Sequence, residues 1–295
     1  MRKFKPSNKT NKYLLALPIL LIYGLFLGGG LIGVAIESSG YIPALGLTEV
    51  GMAHYMNILS APNFWSDLTY SLYIAFFAAT ISTLLGVYMA YRLLLSKHKK
   101  IEILVKKIMQ MGMILPYLYM VFLVLILFSR TGLISRVMYN LGFIETLEQF
   151  PQLFYTPSGA GIILIFVMKG VPFVTLFVLN IMGRIGKYYY QVAKIHGASD
   201  FYILKKIYLP LSSTAIIWSS SIVFIYYLGA FEVPYLLNSN KNVNLSSRLY
   251  SLYIDTNIST IPDAMAYNML LVIIGIIAVV VYSQVLKRIV KGGGH

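Results

Sequence analysis

The sequence predicts an all-α polytopic membrane protein with six transmembrane helices. Three observations carry that expectation. Of the 295 residues, 58% are hydrophobic and only 12% charged, and the mean hydropathy is +0.74; soluble domains carry about twice that charge. Apolar runs long enough to cross a bilayer recur along the chain. Basic residues also keep to alternate segments. Residues 1–13, Arg92–Lys107, Arg184–Lys206 and Lys287–Lys291 hold 19 of the 24 Lys and Arg, while eight of the ten acids lie elsewhere. The positive-inside rule then puts both termini in the cytosol.

Each element follows in turn. Residues 14–36 are free of charge and make a first span about 35 Å long as helix. That run is too long for a signal-peptide core and is expected to remain as a helix. Residues 37–67 carry Glu37, Glu49 and Asp67 but no Lys or Arg; Pro62 and Trp65 suggest a short interfacial helix with the indole at headgroup level. The second span is 68–95. The third, 108–128, is broken by Pro116, a kink tolerable where neighbouring helices or water satisfy the freed carbonyl. Leu133, Ile134, Val137, Met138 and Leu141 then predict a partly buried outer helix. The fourth span is 159–182, the fifth 212–236 and the sixth 264–285, all in one membrane domain covering 1–295. The closing Gly292–His295 reads as a flexible end.

Composition also excludes chemistry. There is no Cys, so disulfides, thiolate catalysis and thiolate metal sites are ruled out. The four His (54, 98, 196, 295) show no paired or HExxH spacing, and no metal site is expected. A net charge of +14 suggests nucleic acid in a soluble chain; here its confinement to alternate loops makes it topological. Gly186-Lys187 is no phosphate loop, because Ile181 and Tyr188 break the GxxxxGK[ST] pattern. No catalytic residue is expected, and the chain does not read as an enzyme.

Residues 183–210 stand apart. They carry Arg184, Lys187, Lys194, Lys205 and Lys206 against Asp200 alone. Tyr188–His196 is long enough for a short helix, Gly197 breaks it because glycine takes positive φ cheaply, and Ser199 or Asp200 caps a second helix. Phe201, Leu204 and Tyr208 share a face of that helix at i, i+3, i+7, and Pro210 closes it. The product is a cytosolic helix–turn–helix knob.

Gln191-Val192-Ala193, Gly197-Ala198 and Ile207-x-Leu209-Pro210 resemble the EAA loop of ABC importer permeases, at matching spacing throughout. Gln191 stands where that family has Glu, His196 where it has Asp, and Leu204 where it has Phe. Gly229–Leu237 (GAFEVPYLL) further resembles the polyamine and phosphonate branch of these permeases. The resemblance covers about residues 67–283. It implies a type I importer subunit in a bacterial plasma (inner) membrane, with a coupling loop between the fourth and fifth spans. It implies two partner ATPases that hold ATP and Mg, so that this chain has no cofactor of its own. A second permease chain (the same or a paralogue) and an extracellular solute-binding protein complete the set; nucleic acid has no part. Coupling would fall to Gln191, Ala193, His196, Gly197, Ala198, Phe201, Leu204, Lys205, Tyr208 and Pro210, with Phe201, Leu204 and Tyr208 as buried anchors and Lys205 and Lys206 as rim.

Within the spans, Lys169 lies near mid-bilayer, at a cost of roughly 2.5–3.5 kcal/mol unless it faces protein or water. It either lines a path or pairs structurally with a backbone carbonyl, Pro172 freeing one nearby. Glu232 falls in a Gly/Pro-interrupted helix of the kind that exposes backbone to a cavity. Lys169, Tyr227, Phe231 and Glu232 are the candidates for path or gate. The outer acids and Glu232 lean towards a cationic or zwitterionic solute. Two other functions remain open at this level. An ion-coupled secondary transporter would need a carboxylate relay, and a membrane scaffold would dock the knob on something other than an ATPase.

Overall fold

The computed structural model describes residues 9–239 and 241–292. The basic residues Arg2, Lys3 and Lys5 and the end 293–295 lie outside them. Among the described residues the structure is helical, with one isolated bridge between Ile42 and Leu47. Five stretches are long and apolar enough to cross a bilayer: Ala16–Glu37 (α1), Pro62–Leu95, Tyr117–Asn140, Ala160–Ile185 and Ile258–Val290. Asp200–Leu211 and Ser213–Gly229, which meet at 78°, make a sixth if the bent pair is counted as one span.

The chain divides into two units. One comprises residues up to Ala61 with Ser251–Leu270. It holds α1 and α2 (Ala53–Ser60), and its polar ties are Ser38 Oγ to the Tyr55 hydroxyl at 2.6 Å and His54 Nδ1 to Asp263 Oδ1 at 2.7 Å.

The other unit, Pro62–Tyr250 with the chain from Leu271, carries the core. Its axis is α3 (Pro62–Leu95), which begins on Pro62, a residue suited to the first turn because its missing N–H has no intrahelical partner there. Ser71, Ala75, Ala79, Ser82, Gly86 and Ala90 are buried along α3. Small residues at such spacing let backbones approach in a membrane, where dispersion rather than water exclusion drives packing. The partner is α7 (Ala160–Ile185); a Cβ on Gly86 would lie 2.7 Å from Val174 Cβ. Helix α10 (Ser213–Gly229) packs on both. Phe166 stacks on Tyr227 (4.4 Å, 9°) and Phe224 on Tyr282 (4.4 Å, 7°). Thr83 donates to Ser220 at 2.6 Å, and Ser220 pairs with the Tyr282 hydroxyl at 2.7 Å.

The third span is broken at Pro116, and the break is complete rather than a kink. Proline cannot donate, and it pushes its predecessor to extended backbone, so Leu115 (ψ 127°) and Pro116 (ψ 152°) interrupt the helix outright. An amphipathic α4 (Lys99–Ile114) ends there, and α5 (Tyr117–Phe128) starts afresh, followed by α6 (Leu133–Asn140). The apolar residues of α6 are partly covered, as expected: Ile134 and Met138 are half-buried while Leu133, Val137 and Leu141 are exposed, and Ser135 is buried. The stretch 212–236 is likewise interrupted. Helix α10 ends at Gly229, and α11 (Glu232–Leu237) restarts beyond Ala230 and Phe231.

Candidate functional site

The knob is built as two short helices around a left-handed glycine. Helix α8 (Tyr188–Ile195) stops because Gly197 takes φ +75°. The Ala198 N–H then reaches Ala193 O at 3.0 Å and the Gly197 N–H reaches Lys194 O at 3.0 Å, the paired bonds of a Schellman ending. Ser199 caps the next helix, α9 (Asp200–Leu211), its Oγ accepting from the Tyr202 N–H at 3.2 Å.

Helix α9 departs from the i, i+3, i+7 expectation. Leu204–Tyr208 is a wide π turn, so the buried positions are Ile203 and Tyr208, five apart, rather than a Phe201–Leu204–Tyr208 stripe. Tyr208 therefore cannot anchor a partner. It is wholly enclosed, packs on Tyr91 at 5.4 Å, and donates to Gly186 O at 2.8 Å. Leu204 is half-buried against the core, as are Ala193 and Ala198. Pro210 does not close the helix; it sits in its last turn, and the sharp bend falls at Ser212.

What remains outside is an apolar crest. Ile195 is 82% and Phe201 72% exposed, with Tyr188 and Tyr202 beside them and the exposed side chains of Gln191, His196 and Lys205 around them. Apolar side chains this open, on a segment tied down at its root, make a surface suited to a partner. Lys194 Nζ meets Asp200 Oδ1 at 2.7 Å and the Tyr190 hydroxyl donates to the same oxygen at 3.1 Å. Those two hydrogen bonds hold the Asp200 carboxyl below its ordinary value.

The root has residues that the sequence reading missed. Tyr91, on α3, donates to Asp200 O at 3.1 Å, and Lys187 Nζ donates to Ser96 O at 3.0 Å. The only signal for Tyr91 was an aromatic next to Arg92 at the inner end of a span.

Lys169 is 8% exposed, and its ammonium donates to three backbone oxygens, those of Gly112 (3.2 Å), Met113 (3.1 Å) and Leu115. It also lies 4.8 Å from the centre of the Tyr117 ring. The acceptors belong to the broken end of α4, not to the carbonyls near Pro172; Phe166 O instead accepts from the Tyr227 hydroxyl at 2.7 Å. Beside Lys169 lies a cavity of about 220 Å³ lined chiefly by Met113, Tyr117, Phe173, Tyr226 and Tyr227. The cavity thus brings Lys169 and Tyr227 together. Glu232 and Phe231 are not in its lining: Glu232 is exposed at the start of α11, and Phe231 stacks on Tyr250 at 4.6 Å. Two of the acids are already engaged, Asp67 with Arg248 at 2.9 Å and Asp263 with His54.

Residues 82–291 match the family described as binding-protein-dependent transport system inner membrane component. The glucose import system permease protein GlcT of Saccharolobus solfataricus is 25% identical over 244 residues, which is 82% of this chain and 84% of that one. The spermidine/putrescine transport system permease protein PotB of Escherichia coli is 24% identical over 242 residues, 81% and 83% of the two chains. In fold, the chain resembles a subunit of a bacterial alginate ABC transporter solved with an alginate-pentasaccharide-bound periplasmic protein. The TM-score is 0.76 at 18% identity, over 95% of this chain and 94% of that one.

Proposed function

The chain belongs to the family of binding-protein-dependent transport system inner membrane components, and on that footing we propose that an ATPase drives it through the elbow at Gly197. It is a permease subunit of an ABC importer. In our reading it has six spans, the fifth being α10 with α11, and its elbow is the EAA-type coupling loop. The clustering of basic residues around the elbow and near both termini supports a cytosolic position for all three.

The single observation that carries this is the pairing of an exposed crest with a buried root. Ile195 and Phe201 offer apolar area to a groove, while Tyr208 and Tyr91 fix the same segment to α7 and α3. A push on the crest is therefore delivered to the spans, since packed elements shift between discrete arrangements rather than bend. Two ATPase subunits holding ATP and Mg supply the push, this chain having no nucleotide motif. A second permease chain completes the path, and an extracellular binding protein delivers the solute.

Of the relatives, one is named for glucose and another for spermidine and putrescine. With Asp67 spent on Arg248 and Asp263 on His54, we assign this chain a small polar solute with no requirement for positive charge. The test is co-purification with a Walker-type ATPase together with vanadate-sensitive uptake. Phe201→Asp should abolish both while leaving the permease folded; retention of both in that variant overturns the role of the elbow.

A further inference from the structure

The broken end of α4 presents an accounting problem in a bilayer. Pro116 has no N–H, so Gly112 O, four residues earlier, has lost its helical partner, and the carbonyls after it sit where the helix has ended. Hydrocarbon provides nothing to replace these bonds, and each unmet group costs several kcal/mol. In this structure the replacement is Lys169. Its three N–H groups are directed at Gly112 O, Met113 O and Leu115 O, spanning the break, and its charge suits the negative end of a helix dipole. The ammonium also stands over the Tyr117 ring, the first residue of the restarted helix. One side chain of α7 thereby holds both sides of the α4–α5 break.

Helix α7 is also the helix that leads to the elbow. Sixteen residues separate Lys169 from Ile185, about 24 Å of continuous helix. Gly186 follows, its carbonyl taken by Tyr208. We propose that Lys169 is a positioning residue that makes the α4–α5 break travel with α7, so that displacement of the elbow moves Tyr117, a wall of the cavity beside Lys169. The inference rests on the ATPase-driven reading given above and adds to it the route by which motion reaches mid-bilayer.

A merely structural lysine and a positioning one can be told apart, because the carbonyls can be satisfied another way. Pro116→Ala restores an N–H for Gly112 O and permits a continuous helix that no longer needs the ammonium. The experiment compares wild type, Lys169→Met, and Lys169→Met with Pro116→Ala, each in the full permease–ATPase complex in nanodiscs. Melting temperature, ATP hydrolysis and solute moved per ATP are the readouts. Lys169→Met alone should lower the melting temperature and uptake. The double variant should recover the melting temperature and hydrolyse ATP, yet move about tenfold less solute per ATP. Recovery of wild-type uptake per ATP in the double variant overturns the proposal, as does normal transport by Lys169→Met. Absence of ATP-dependent uptake in wild type would instead sink the importer reading, before any variant is compared.

A second measurement stands even if the variants fail to fold. Spin labels at the exposed positions Tyr119 on α5 and Phe177 on α7, with Lys169 in place, should keep a constant separation through the ATP cycle. A separation that changes with nucleotide overturns the proposal.

Discussion

The carboxylate of Asp67 and the guanidinium of Arg248 meet at 2.9 Å, joining the first turns of α3 to α12 (Leu245–Tyr253). The two partners are unequally enclosed, the Asp67 side chain being 5% exposed and that of Arg248 35%. Removing the arginine strands a buried carboxylate, whereas Asp67→Asn leaves a neutral amide. Arg248→Met should therefore cost more stability than Asp67→Asn. Loss of one partner from a fully buried pair costs 3–5 kcal/mol; water around the half-exposed guanidinium reduces this to about 2 kcal/mol. Thermal unfolding of the detergent-solubilised permease measures the order, and equal losses would contradict it.

Gly86→Ala should prevent α3 and α7 from closing. The added methyl would sit 2.7 Å from Val174 Cβ and 2.8 Å from Val174 Cγ1, both rigid on a β-branched residue. Overpacking of this kind costs about 1–3 kcal/mol. The companion change Val174→Gly, which removes both atoms, should recover part of the loss, and a double variant no more stable than the sum of the two single changes would show that the contact is not the cause.

Gly197→Ala tests the elbow's backbone without touching its surroundings. No atom lies within 4 Å of the position a Cβ would take, so the penalty is the left-handed φ of +75° alone, about 1–2 kcal/mol for a residue with a Cβ. Gly197→Asn should be milder. Both should leave the melting of the span core unchanged and raise hydrogen exchange within 188–211.

The crest and the root should respond differently to substitution. Ile195→Asp places a charge on an exposed site and should leave the melting temperature unaltered while ATPase binding falls. Tyr208→Phe removes the bond to Gly186 O and should cost about 1 kcal/mol. A partner affinity insensitive to Ile195→Asp would remove the crest from the interface.

Acid sensitivity of the elbow has a defined sign. The hydrogen bonds from Lys194 and Tyr190 lower the Asp200 value from its ordinary 3.8, so their contribution is complete above that value and is lost only as pH falls through the lowered one. Exchange protection at 188–211 should accordingly be flat between pH 5 and 8 and decline only in stronger acid. A decline near neutral pH would point to a group other than Asp200.

The sequence disclosed the elbow's outline better than its packing. Gly197 and Ser199 speak for themselves, because positive φ and N-capping are local demands written in single residues. The π turn at 204–208 is not local in that sense. It follows from burying Ile203 and Tyr208 on one side, a tertiary choice that no i, i+3 pattern announces. Pro116 was legible as a disturbance, but whether it kinks or ends a helix depends on what satisfies Gly112 O, and that group sits 57 residues away on α7. The partners of Asp67 and Asp263 were out of reach for the same reason, since Arg248 and His54 lie far along the chain.

Helix α3 runs for 34 residues, close to 51 Å, against a hydrocarbon slab of about 30 Å. Upright, about 20 Å of it would lie beyond the hydrocarbon, mostly within the headgroup layers, and tilt shortens that excess. Tyr91, the hydroxyl that tethers Asp200, lies near one extremity of this overshoot. The elbow is thus tied to α3 about one turn from the helix end, where the hydrocarbon has given way to the polar headgroup zone.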